Sequence, residues 1–344
     1  MGNVLVRTHH FIMRNVQRTL LANRYYNWYV FSRKLSRRWE DELSVHYAQG
    51  NRTMDDRKTV VFLCNGFVEN GGWADRLKGI LSTYLVCKEQ SIPFRLLFTY
   101  PFNLTDYLVP NAYDWRIFPE DVIFEQPYSD ILTLEIGEES DYQARKQYEL
   151  ISEQIARSEA CQIHVCTNAH FCYRADFAAL FNELFRPSEH LLPSIERLKD
   201  VLGDDYISLS GRFINSLGDF VDTQQGEPLP ANLKQQLIDA CLDQLERLHS
   251  KHPNKRILIN SDSITFLSAV QELDYTYVIP GKVLHLDTAP ADANYQLYEK
   301  TFLDYFMIAN ASAVYRLETQ WMHSSGFPYS AAKIYDKPFH SIKF

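Results

Sequence analysis

Apolar residues fall along this chain in two alternating patterns: short unbroken runs, and longer stretches spaced three and four apart. The run Val60–Cys64 predicts a buried strand, the spacing of Leu77, Ile80, Leu81, Tyr84 and Leu85 a helix with one buried face, and Arg95–Tyr100 a second strand. Between Pro101 and Leu202 the pattern is mixed, with helices predicted over Tyr142–Arg157 and Ala175–Phe185. A clear alternation then resumes. Strands are predicted over Tyr206–Ser210, Arg256–Asn260, Tyr275–Ile279 and Ala313–Leu317. Between and after them come helices marked by Leu233, Leu237, Cys241, Leu245 and Leu248, by Ile264–Leu273, by Tyr295–Asn310 and by Ser330–Tyr335. Strands alternating with helices imply an α/β fold with parallel sheets, whose ligands sit outside the carboxyl ends of the strands. The loops that matter are therefore those after Cys64, Ser210, Asn260 and Leu317.

At 344 residues the chain exceeds one ordinary hydrophobic core. The patterning divides it into a helical extension over 1–56, a first α/β domain over 57–200 and a second over 201–344. The extension has helical periodicity over residues 8–39 and is basic. Arg7, Arg14, Arg18, Arg24, Arg33, Lys34, Arg37 and Arg38 all precede the first acid, Glu40. Such a helix, with Tyr25, Tyr26, Trp28 and Tyr29 among its arginines, suits peripheral association with an anionic membrane as well as it suits packing on its own domain. The net charge is −8; without those eight cations the remainder holds 27 basic against 43 acidic residues, which excludes a general attraction for nucleic acid. No stretch approaches the roughly 20 apolar residues of a membrane span. The six cysteines form no CxxC pair, and Cys161, His164, Cys166, His170 and Cys172, though crowded, fit no common zinc spacing. They read as reduced core residues of a cytoplasmic protein, possessing no metal site.

Each of the four loops carries candidate chemistry. After Cys64, Gly66, Gly71 and Gly72 precede a helix starting near Ala74, a geometry that lets a backbone approach an anion closely, with Asp75 and Arg76 in its first turn. After Ser210 come Gly211, Arg212, Asn215, Gly218 and Asp219. An arginine at a strand end can grip a phosphate bidentately, and it can equally pair with Asp219 or Asp222. After Asn260, Asp262 is a candidate acceptor for a base or ribose, and Ser263 is equally a helix N-cap. After Leu317, Ser324 and Ser325, with Ser330 further on, offer hydroxyls and amides to phosphate, with His323 and Arg316 adding positive charge. The chain lacks P-loop, nucleophile-elbow and dinucleotide-fingerprint motifs, and a metal-binding DxD.

Taken together, Gly71-Gly-Trp-Ala-Asp-Arg-Leu-Lys-Gly79, Ser208-Leu-Ser-Gly-Arg-Phe-Ile-Asn-Ser-Leu-Gly-Asp219, Leu258-Ile-Asn-Ser-Asp-Ser263 and the closing segment Asp304–Lys333 resemble the motif series of the GDP-fucose-dependent fucosyltransferases, in a bacterial-type member. The likeness runs through most of residues 58–344, with long unmatched stretches between the motifs. It implies two Rossmann-like domains facing a cleft (a GT-B-like architecture), the first holding a glycan acceptor and the second GDP-fucose. It also implies transfer with inversion, without metal or other cofactor. By the resemblance Arg212 holds the donor β-phosphate, Asp262 lies near the guanine, and Ser324, Ser325 or Ser330 contact phosphate. Where the family motif carries histidine, two places before the arginine, this chain has Ser210. Glu69 and Asp219 are the candidate catalytic bases. Another nucleotide sugar, or binding without catalysis on the same fold, stand as alternatives. A surface polysaccharide or a lipid-linked glycan is the acceptor that the basic extension suggests.

Overall fold

In the computed structural model, residues 37–50, 58–134, 141–171, 176–220, 227–283, 286 and 295–344 are described, and they group into two units. The first contains strands β1 (Thr59–Cys64), β2 (Phe94–Phe98), β3 (Ser129–Leu134) and β4 (Gln162–Thr167), in the order β2-β1-β4-β3. β4 runs parallel to both of its neighbours. Helices α1 (Trp73–Gln90) and α2 (Asp141–Arg157) accompany them. Gly79 is where α1 touches β4 most closely: a Cβ there would stand 1.9 Å from the Thr167 carbonyl oxygen, so only glycine permits the approach.

The membrane reading of the extension rests on residues that, up to 36, lie outside the described ones. Those at its end, Trp39 and Leu43, are buried against Val61, Leu63 and Leu97, so this part is core of the first unit.

The second unit comprises Asp176–Phe344 together with Gly71–Asp75 and Phe98–Arg116, where the alternation alone set its start near 201. Aromatic packing is the reason. Trp73, Phe98, Phe102 and Tyr107 surround the face of α7 (Tyr295–Asn310) that carries Tyr298, Phe302 and Tyr305, with ring centroids 4.6–6.4 Å apart. Besides α3 (Phe177–Leu184) and α4 (Leu192–Leu202), this unit contains β5 (Ile207–Gly211), α5 (Ala231–Lys251), β6 (Ile257–Ser261), α6 (Ile264–Gln271) and β7 (Thr276–Val278). After α7 come β8 (Ala313–Glu318), α8 (Gly326–Ile334) and β9 (Phe339–Lys343). The five strands are all parallel, in the order β7-β6-β5-β8-β9. Leu237, Cys241, Leu245 and Leu248 of α5 close over Ile207, Leu209, Ile257 and Ile259 as its core. Strand order reverses between β5 and β8, which opens a crevice at their carboxyl ends, the ligand position in doubly wound sheets.

Candidate functional site

That crevice is a cleft of about 100 Å³ in the second unit, lined by Gly72, Trp73, Ser210, Gly211, Arg212, Asn260, Ser261, Asp262, Thr301, Asp304, Ser325 and Phe327, with Phe220, Val283 and Leu286 as apolar wall. Three of the four predicted loops meet here, and the fourth contributes Gly72 at the start of α1. A wider, more open hollow of about 670 Å³ lies between α5 and the strand residues Tyr315 and Ile342. It flanks the sheet and gathers none of the motif loops, so the smaller cleft holds the candidate chemistry.

Arg212 follows β5 directly. Its loop is held from two sides. The Asp262 carboxylate accepts the backbone N–H groups of Phe213 and Ile214, both at 2.8 Å, and the Arg212 carbonyl accepts the His323 N–H at 2.9 Å. Ile214 has φ +53°, a left-handed conformation costly for a β-branched residue, and the latch from Asp262 sustains it. Burial raises the Asp262 carboxyl above the ordinary range, against the two N–H groups and the nearby Arg212 charge. Asp262 thus acts on the loop, and His323 enters the site through its backbone.

Asp219 accepts from the Ser263 hydroxyl at 2.8 Å and from the Thr265 N–H at 2.7 Å, while Ser263 caps α6 by accepting from Phe266 at 3.1 Å. Burial works against the Asp219 charge, yet the Thr265 and Ser263 donors outweigh it and hold the carboxyl below its usual range. A carboxylate so held is a weak base. Asn215 receives the Gly218 N–H on its carbonyl, as a turn of the same loop.

The closing loop is braced by Arg316, which donates to the Ser325 carbonyl at 2.7 Å and pairs with Glu318, itself accepting from Ser324 and Ser341. Ser325 caps α8, accepting from the Phe327 N–H, and Ser330 donates to the Phe327 carbonyl at 2.9 Å. A Cβ on Gly326 would lie 3.9 Å from that of Ala74, so α8 begins beside the first turn of α1. Two helix N-termini, each a locus of positive potential, therefore open beside Arg212. Gly71, with φ +77°, turns the chain into α1 next to Asp75. Arg76 is 1% exposed and, like the exposed Glu69, belongs to the first unit.

Trp73, Asn260 and Asp304, which no motif singles out for a chemical role, also line the cleft, and Lys300 pairs with Asp304. The last two form a buried pair on α7, Nζ lying 3.0 and 2.8 Å from the carboxylate oxygens. Their i, i+4 spacing inside an apolar helix was the available signal.

No protein-family model matches this chain, and no curated protein sequence does. Its fold, however, is shared with solved structures. The NodZ α-1,6-fucosyltransferase co-crystallised with GDP aligns with TM-score 0.53 and 15% identity, over 80% of this chain and 92% of that one. NodZ from Bradyrhizobium gives 0.53 and 14% over the same shares. FUT1 of Arabidopsis thaliana, a point variant in complex with GDP, gives 0.50 and 11%, over 88% of this chain and 73% of that one. The architecture is accordingly the α/β, parallel-sheet fold of these enzymes, as the motif order implied.

Proposed function

We propose that this chain is a glycosyltransferase that moves fucose from GDP-fucose to a glycan acceptor. One observation carries the reading. A guanidinium at the end of β5 shares a switch-point cleft with the N-termini of α1 and α8, an arrangement made for a diphosphate. The likeness of fold to an enzyme crystallised with GDP supports it. In the reaction the acceptor oxygen bonds to the anomeric carbon as the bond from that carbon to the β-phosphate oxygen breaks, and configuration inverts. Negative charge gathers on the departing diphosphate, where Arg212 and the two helix ends neutralise it without a metal. The acceptor proton passes to a carboxylate, for which Glu69 and Asp219 are the candidates, Asp219 being the one already held at the start of α6.

Among the described residues no helix is long and apolar enough to cross a membrane, and Cys64, Cys87, Cys161, Cys166 and Cys241 are buried.

Substituting Arg212→Ala should lower GDP-fucose turnover roughly 100- to 1000-fold, the usual cost of one lost donor to developing charge, with the unfolding midpoint unchanged. Undiminished turnover in that variant sinks the assignment. A screen of GDP, UDP and ADP by calorimetry on the wild-type chain tests the nucleotide, since Ser210 stands where the resembling motif has histidine. Stabilisation by a nucleotide sugar without turnover would mark a binding protein.

A further inference from the structure

The sheet of the second unit has two edges, and they differ in how they meet solvent. β7 is three residues long, and an edge strand that short offers little to another chain. β9, at the opposite edge, runs over five residues in one-to-one register with β8. It contains no proline, no bulge and no acid, and Lys343 is its one lysine. His340, Ser341 and Lys343 are exposed along it. Two hydrogen bonds fix which backbone groups face outward. Val314 donates to the Pro338 carbonyl at 2.9 Å, and Phe344 donates to the Glu318 carbonyl at 3.3 Å, so the even-numbered residues turn toward β8. Phe339, Ser341 and Lys343 therefore present their N–H and C=O groups along the open edge.

Such a row is a template for a further strand, and the sequence of β9 is complementary to itself. Two copies set antiparallel about a twofold axis at Ser341 bring Phe339 opposite Lys343 and Ser341 opposite its own counterpart, in hydrogen-bonded pairs that each exchange two bonds. Lys343 then meets an aromatic ring, as Arg316 already does at 5.1 Å from the Phe339 centroid. Just beyond, the exposed Phe344 meets the exposed Pro338. On the other face His340 comes beside Ile342, at the rim of the hollow that Tyr315 and Ile342 share with α5. Neighbouring registers lose these matches. Shifting the axis one residue toward the amino end sets Lys343 against Lys337, and shifting it the other way sets Lys343 against Ser341, off the ring. Tyr329 of α8, 46% exposed, packs on Phe339 with ring centroids 5.2 Å apart and widens the apolar surface beside the edge. We propose that this chain forms a twofold dimer in which β9 pairs with β9 of a second copy, joining two five-stranded sheets into one. The pairing is independent of what the cleft binds.

Sedimentation velocity of the full chain over a concentration series tests it. A five-residue strand pair makes a small interface, so the dimer should form with a dissociation constant on the order of micromolar. Ser341→Pro removes both bonds at the axis, and Lys343→Pro removes one from each outer pair. Each should raise that constant at least about tenfold with far-UV circular dichroism unchanged, whereas Ser341→Ala, which keeps the N–H, should stay within about twofold of wild type. If Ser341→Pro fails to fold, Lys343→Pro carries the same expectation. Mild oxidation reads the register. In Ser341→Cys the two Cα atoms would stand about 5.5 Å apart across the axis, within disulfide reach, and the chain should cross-link to a dimer. In Lys343→Cys they would stand about 14 Å apart, and it should not. A wild type that remains monomeric up to roughly 100 μM overturns the proposal. So does a dimer indifferent to both proline variants, or cross-linking that favours Lys343→Cys over Ser341→Cys.

Discussion

Removing the Asp262 carboxylate should release the Arg212 loop rather than delete a ligand contact. In Asp262→Ala the N–H groups of Phe213 and Ile214, now held at 2.8 Å each, lose their acceptor in a buried setting. An unsatisfied buried donor costs about 1–3 kcal/mol, so the pair costs about 2–6 kcal/mol. Part of this returns because a carboxyl that burial had pushed above its normal range no longer has to be desolvated. Ile214, at φ +53°, also relaxes. A net loss of about 2–4 kcal/mol in chemical denaturation follows, within the range of a broken buried network.

The effect on binding has a signature. If Asp262 holds the loop, then pyrophosphate and GDP both weaken, because each must re-order the backbone around Arg212. A reordering cost of ~2 kcal/mol is roughly a 30-fold rise in Kd. Asp262→Asn keeps one acceptor and should fall between wild type and alanine. Paired calorimetric titrations decide the matter. Should GDP weaken while pyrophosphate binds as before, Asp262 touches the base or ribose directly and the loop argument is refuted.

Three further outcomes follow from other parts of the fold. Gly79→Ala drives a Cβ to 1.9 Å from the Thr167 carbonyl and should destabilise the chain by about 1–3 kcal/mol, seen as a lowered thermal midpoint; an unchanged midpoint contradicts the close approach of α1 to β4. His164 is wholly buried, its Nδ1 accepting from Tyr47 and its Nε2 donating to Gln162 at 3.0 Å, and burial lowers its pKa to about 3. The unfolded chain therefore binds the proton first, so the stability this neutral ring provides is complete above pH ~6.5 and is lost as pH falls toward about 3, by at most about 4–5 kcal/mol; His164→Gln should flatten that slope in denaturation series. Asp219→Asn should cost about 1 kcal/mol through the start of α6 and leave the pH profile of transfer in place, whereas loss of turnover with intact nucleotide binding would make Asp219 the base.

The second unit was largely legible in the sequence, because a parallel strand buried on both faces must be written in unbroken apolar residues. Ile207–Gly211, Ile257–Ser261 and Ala313–Glu318 each fall within a residue of the expected bounds, and the stripe of α5 was in plain view. The first unit hid half its sheet. All six residues of β4 are buried, yet Gln162, His164 and Thr167 break the apolar run, each satisfied by a partner far away in sequence: Thr167 by the Leu134 carbonyl at 2.6 Å, Gln162 by Ile123 and Asp121. β9 lies at the sheet edge and is mostly polar, so no periodicity announced it. α8 starts at Gly326, behind the Ser325 cap and a turn before the expected Ser330.

The site shows the same divide in finer grain. Spacing located the loops, since strand ends are where a doubly wound sheet exposes its chemistry. It could not say which side chains would be consumed in building those loops. Asp262, Asp219, Ser263, Ser325 and the backbone N–H of His323 are all spent on holding the chain, as are Arg316 and Glu318 behind them. What these groups hold in place is backbone: the Arg212 loop, the start of α6 and the start of α8. Preorganised dipoles of this kind need no rearrangement when negative charge develops, which is the condition for stabilising a departing diphosphate more strongly than a resting one. Polar loop residues that look like ligands in the sequence are thus better read as the frame that aims the ligating backbone.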